Sequence, residues 1–119
     1  MPKSFYELDI WKEGYTLLLK IYKIANNFPS EEKYILTPQL IRSANSIIAN
    51  IAESQGRYYF KDKIRTLYTA RGEVEEVRSH LRVAVGREYI TKEEFSKLDK
   101  EYEKLSKRIS AYIKSIRIH

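Results

Sequence analysis

The residue types best suited to chemistry are few. They are the histidines His80 and His119, and the carboxylates Glu73, Glu75 and Glu76, which stand among Arg71, Arg78 and Arg82. Some helical ribonucleases carry an arginine, four to six residues and then a histidine, a pair suited to acid–base cleavage of RNA. Arg71 stands too far from His80 for such a pair, and Arg78 too near. Neither histidine has a second one at metal-ligand spacing and the chain has no cysteine, so no zinc site is expected. The three glutamates lack the Glu-x-x-His companion of carboxylate-bridged metal bundles. Their arginine neighbours make structural ion pairs the stronger reading. There is no glycine-rich phosphate loop and no serine nucleophile motif. The chain is therefore expected not to be an enzyme, and to use no cofactor or metal.

Binding chemistry is better represented. Residues 39–57 contain a polar row, Gln39, Arg42, Ser46, Asn50 and Glu53, ending in Gly56-Arg57. At helical pitch this row lies nearly opposite the apolar row Leu40, Ala44, Ile47 and Ile51. Large hydrogen-bonding groups so arranged suit specific recognition, by RNA or by a partner subunit. Because the row is nearly charge-balanced, it is read as fixing inter-helix or oligomer contacts rather than as a phosphate track. Farther along, Lys97, Lys100, Lys104, Lys107, Arg108 and Lys114 occupy the face of a helix away from its apolar stripe. They form either a solvated surface or a sequence-independent phosphate track. Arg71, Arg78 and Arg82 beside the core edge suit ion pairs or planar phosphate contacts. At Arg57-Tyr58-Tyr59-Phe60-Lys61, basic groups interleave with aromatics. Such rings either stack unpaired bases or plug a bundle end, with Phe60 in the core.

The elements that must position these groups are helical. Of 119 residues, 43% are hydrophobic and 32% charged, with 4 Gly and 3 Pro, a folded composition. Helices are expected over residues 5–27, 37–55, 60–85 and 91–116. The first repeats Leu8, Trp11, Tyr15, Leu18, Tyr22 and Ala25 in alternating three- and four-residue steps, a bundle seam. It carries a second apolar row, Ile10, Gly14, Leu17, Ile21 and Ile24, which implies either deeper burial or contact with another copy. Gly14 in mid-helix points to close approach by a neighbour. Thr37 is expected to cap the second helix with Pro38 at its first position, and Gly56 to end it in left-handed conformation. Phe60, Ile64, Leu67, Ala70, Val74, Val77, Leu81 and Ala84 make the third stripe. Thr91 and Glu94 form a capping box before the fourth, whose stripe is Phe95, Leu98, Tyr102, Leu105, Ile109, Tyr112 and Ile116. Short connections make sequential helices antiparallel, so residues 1–119 are expected to form one all-α, up-down-up-down four-helix bundle.

The formal net charge is +6. Residues 1–60 hold 7 basic and 6 acidic groups and residues 61–119 hold 15 and 10, so the excess lies in the second half. That bias permits nucleic-acid binding. The absence of cysteine fits a reducing, cytoplasmic location. The acidic N-terminus lacks a signal-peptide h-region, and no apolar run approaches membrane-spanning length.

Several motifs in order carry a family resemblance across nearly the whole chain. They are Leu8-x-x-Trp11-Lys12; Phe28-Pro29-x-x-Glu32-x-Tyr34-x-Leu36; Gln39-Leu40-x-Arg42-x-Ala44-x-Ser46-Ile47; Asn50-Ile51-Ala52-Glu53-x-x-Gly56-Arg57; and Ala70-Arg71-Gly72-x-x-x-Glu76. The chain resembles the four-helix bundle proteins encoded in intervening sequences of bacterial 23S ribosomal RNA genes. These are related to the accessory variability proteins of diversity-generating retroelements. The resemblance implies an up-down bundle able to assemble as a homopentamer. On the retroelement side it implies a basic surface for a reverse transcriptase and nucleic acid. Two functions follow as expectations. The first is an oligomeric, non-enzymatic protein that binds RNA or DNA through Arg57, Arg71, Arg78, Arg82 and the basic residues of the fourth helix. The alternative is a protein-interaction scaffold, an accessory subunit of a reverse transcriptase.

Overall fold

The computed structural model describes residues 4–118. A 3-10 turn, Phe5–Glu7, leads into α1 (Asp9–Ala25), and a second, Ser30–Glu32, leads into α2 (Leu36–Gly56). Then follow α3 (Phe60–Gly86) and α4 (Lys92–Ile118). Each helix packs on its neighbours in order, and α1 closes against α4, giving the antiparallel up-down-up-down bundle. The body measures 46 × 25 × 20 Å.

The core follows the apolar stripes with informative exceptions. From α2 and α3 it takes Leu40, Ala44, Ile47, Ile51, Leu67, Ala70, Val74, Val77, Leu81 and Ala84, all almost fully buried. In α4, Leu98, Tyr102, Leu105 and Ile109 are buried as expected, but Ile113 takes the place foreseen for Tyr112. A straight helix drifts relative to a strict seven-residue repeat, which moves the stripe by one position near its end. The Tyr102 hydroxyl is sealed in the core without a hydrogen-bond partner among the described residues, and burial holds its pKa well above the ordinary phenol range.

In α1 both rows contribute to the core: Leu8, Leu18 and Ala25 of the first are buried as expected, together with most of the second. Ile10, Gly14, Leu17 and Ile21 face the core, whereas Tyr15 and Tyr22, assigned to the seam by spacing alone, are exposed. The reason is the glycine. A Cβ at Gly14 would lie 2.6 Å from Cγ2 of Ile48 and 3.7 Å from Cδ2 of Leu105. The closest approach of α1 to α2 and α4 therefore runs through Gly14, turning Tyr15 and Tyr22 outward.

The helix ends also differ from expectation in places. Thr37 lies inside the first turn of α2, not at its cap; the Leu36 N–H instead donates to Oε1 of Glu32 at 3.3 Å. Pro38 still sits in the first turn, where its missing N–H costs nothing. Gly56 ends α2 without a left-handed backbone. Among the described residues the positive φ belongs to Glu88, at 64°, after α3. There the Tyr89 N–H donates to Ala84 O at 2.9 Å and the Glu88 N–H to Val85 O at 3.0 Å, a Schellman closure built on a non-glycine residue. The Thr91–Glu94 capping box forms in both directions, at 2.8 and 3.0 Å.

The Gly14 contact can be tested directly. Alanine favours a helix by about 1 kcal/mol over glycine, yet its methyl would collide with a β-branched side chain held in one rotamer. Gly14→Ala is expected to destabilise the protein by about 1–3 kcal/mol in urea unfolding. In an Ile48→Ala background the same change should be close to neutral or stabilising. An equal loss in both backgrounds would refute the steric account.

Candidate nucleic-acid interface

The basic residues divide into those held by acids and those left outward. On α3, Arg78 donates from Nε to Oδ1 of Asp99 at 2.9 Å and from Nη2 to Oδ2 at 3.3 Å. Arg82 meets the same carboxylate through Nη1 at 2.9 Å and Nη2 at 3.3 Å, and its guanidinium lies over Phe95. Arg78 also reaches Glu75 and Glu103. Arg71 donates to Ser110 Oγ at 2.9 Å and stacks over Tyr68. These three arginines therefore fasten α3 to α4 or lie along that seam. Planar, multidentate guanidinium groups suit that work better than ammonium groups do.

The α1–α4 seam is closed in the same way. Arg108 donates to Glu13 at 2.8 Å, and Lys20 pairs with Glu101 at 3.1 Å. Arg57 pairs with Glu53 one turn back in α2. Among the described residues, Lys97, Lys100, Lys104, Lys107 and Lys114 have no ion-pair partner, and all five are exposed. Lys97 and Lys104 flank the groove beside α1. Lys100, Lys107 and Lys114 repeat every seven residues on the side of α4 opposite its core stripe. Successive members of that row stand about 10 Å apart along the axis. The result is a ridge of cations with no ion pair among the described residues, Glu103 between Lys100 and Lys107 lying 3.7 Å from Arg78 instead.

The polar row of α2 belongs to a different place. Arg42 accepts the company of two α3 carboxylates, at 2.9 Å from Glu76 and 3.9 Å from Glu73, and donates to Gln39 at 3.2 Å. Burial, reinforced by a hydrogen bond with Glu76, raises the Glu73 pKa, while that bond lowers the pKa of Glu76. His80 Nε2 is sealed 3.7 Å from Glu76. Asn50 donates to the Ser46 carbonyl and hydroxyl within its own helix, at 2.8 and 3.2 Å. Gln39, Arg42 and Glu53 are exposed, and Ser46 and Asn50 half-buried. Through Arg42 the row makes an α2–α3 contact. Among the described residues no group of three or more potential ligands could hold a metal, and His119 lies outside them.

Sequence reading missed the acids that sort these charges. Asp99, Glu13 and Glu101 flank the α4 and α1 stripes, the positions from which a side chain can reach across to an adjacent helix. Glu32 was visible only as part of a motif. It starts α2 through Leu36 and accepts a 2.7 Å hydrogen bond from Tyr89, whose ring packs on Phe28. Both connections at that end of the bundle are thereby tied together.

Hydrogen bonds from Arg78, then Arg82, hold the Asp99 carboxyl below the usual carboxylate range. A folded-state pKa below the unfolded one gives stability that is present above about pH 4, and lost as pH falls through the folded value. Asp99→Asn is therefore expected to cost about 1.5–3 kcal/mol at pH 7. Its deficit relative to the unsubstituted protein should shrink on acidification below about pH 4. Urea denaturation at both pH values checks this, and a deficit independent of pH would contradict it.

Comparison with known proteins agrees with this architecture. A crystal structure of a protein of unknown function from the S23 ribosomal protein family, from Bacteroides thetaiotaomicron, superposes with a TM-score of 0.81 at 25% identity, covering 88% of this chain and 95% of that one. No functionally curated protein matches. The family model for the 23S rRNA-intervening sequence protein matches residues 6–111. With its motifs, its four helices and that match in accord, the chain belongs to the 23S rRNA-intervening sequence protein family.

Proposed function

We propose that this chain is a non-enzymatic, homo-oligomeric protein, a pentamer by the resemblance of its motifs, that binds RNA or DNA through the outer face of α4. The observation that carries the reading is the sorting of charge. Arg78, Arg82 and Arg108 are taken up by acids at the helix seams, while Lys100, Lys107 and Lys114 line one outward row without an ion-pair partner among the described residues. A helix gains nothing intrinsically from a row of like charges. A polyanion that follows the row releases counterions along its length.

A second reading rests on a different surface. Tyr15, Leu19 and Tyr22 of α1 are all more than two-fifths exposed, an apolar face suited to protein contact. A scaffold role as accessory subunit of a reverse transcriptase would use such a face, and so would assembly with further copies of this chain.

Binding of labelled RNA across a salt series tests the leading reading. Affinity should fall steeply with salt, and replacing Lys100, Lys107 and Lys114 together by Gln should make the log–log slope shallower by about two. Binding that ignores salt, or a slope unchanged by the triple substitution, would count against it. Native mass spectrometry at micromolar concentration tests assembly separately. The expected species is a pentamer, and a persistent monomer sinks that part of the proposal.

A further inference from the structure

The turn between α2 and α3 exposes three consecutive aromatic residues. Tyr58 is 87%, Tyr59 68% and Phe60 43% exposed. None of them plugs the bundle end, so the packing alternative for this corner does not account for them. Helix initiation does not account for them either. Tyr59 stands at the N-cap of α3 and makes no side-chain cap bond, where Ser, Thr, Asp or Asn would stabilise the helix. The Tyr58 and Tyr59 rings meet edge-on, 5.0 Å apart at 88°, so one covers at most a single face of the other and the remaining faces are open. By contrast Trp11 and Tyr15 stack in parallel, 5.2 Å apart at 9°, each covering one face of the other.

The surroundings are cationic. Between Glu53 and Arg65 four basic residues stand against two acidic ones. Arg57 and Arg65 are paired with Glu53 and Asp62, while Lys61 is exposed with no ion-pair partner among the described residues. Because α4 runs antiparallel to α3, its last turns lie at this same end of the bundle; Gln55 Nε2 donates to Tyr112 Oη at 3.1 Å across it. The Lys100–Lys107–Lys114 row therefore runs toward the aromatic corner rather than away from it.

We infer that the Tyr58-Tyr59-Phe60 corner is a stacking platform for unpaired nucleobases, making single-stranded nucleic acid the preferred ligand. The inference rests on the proposed phosphate-tracking role of α4 and adds base contact to it. Open aromatic faces beside ammonium groups hold exposed bases of any sequence, whereas a duplex keeps its bases stacked within itself. A protein partner would be served by the rings but not by the positive charge around them.

The test uses the full chain and three labelled probes of equal length: an oligouridylate, an RNA duplex, and an abasic strand with the same phosphates. The oligouridylate should bind about tenfold more tightly than the abasic strand. Tyr58→Ala and Tyr59→Ala should each abolish most of that advantage while leaving abasic binding and the salt slope unchanged. Circular dichroism confirms that both variants remain folded, as expected for side chains this exposed. Equal binding of all three probes, untouched by the tyrosine variants, overturns the base-stacking inference and leaves the phosphate-track reading standing. Failure to bind any probe removes both. If the variants change the oligomeric mass but not oligouridylate affinity, the rings belong to a subunit interface and the inference is wrong.

Discussion

The carboxylate of Asp99 organises the charge of this molecule. It sits only 15% exposed at the α3–α4 seam, and both Arg78 and Arg82 converge on it. A partly buried charge is stable only when paired and hydrogen-bonded. The pairing holds both arginines against α4, Arg78 largely buried and Arg82 still half exposed. Glu13 does the same for Arg108, and Glu101 for Lys20, on the opposite flank. Asp99, Glu13 and Glu101 are thus engaged at seams, and Lys100, Lys107 and Lys114 face water with no ion pair among the described residues. Cohesion of the bundle and exposure of its basic ridge are two results of one distribution.

Much of this was legible in the order of residues. The α3 stripe from Ile64 to Ala84 is buried as its spacing indicates, because a helix packed on both flanks exposes a single consistent period. The Thr91–Glu94 box is equally plain, since its partners are three residues apart. The α1 seam was not legible. Two apolar rows of similar strength compete there, and only the fit of Gly14 beneath Ile48, on another helix, decides between them. The same is true of Leu36: its N–H is met by Glu32, four residues earlier, and the strong local signals of Thr37 and Pro38 lose to that contact.

For the interface, residue type was readable but commitment was not. Nothing in sequence spacing distinguishes Arg78, clamped on Asp99, from Lys100, which is free of any ion pair among the described residues. That distinction depends on which acid lies across a helix seam. The near charge balance of the α2 polar row indicates an architectural role, and Arg42 does bridge to Glu76 and Glu73 on α3. Ser46 hydrogen-bonds Glu73 on α3 as well, while Asn50 donates to Ser46 within its own helix. Family membership accounts for the fold, while the proposed ligand depends on the surfaces the fold leaves open.

The fit of Gly14 under Ile48 has a mechanical consequence. A helix with no spare volume at its crossing cannot slide; a shift by one turn would bring Ile10 or Leu18 into a slot that rejects even a methyl group. The bundle therefore has one register. Its aromatic corner and the far end of its lysine ridge are held at a set separation along a body 46 Å long. A flexible strand laid on it would be measured against a rigid gauge, and its own bending would have to supply whatever adjustment the contact requires.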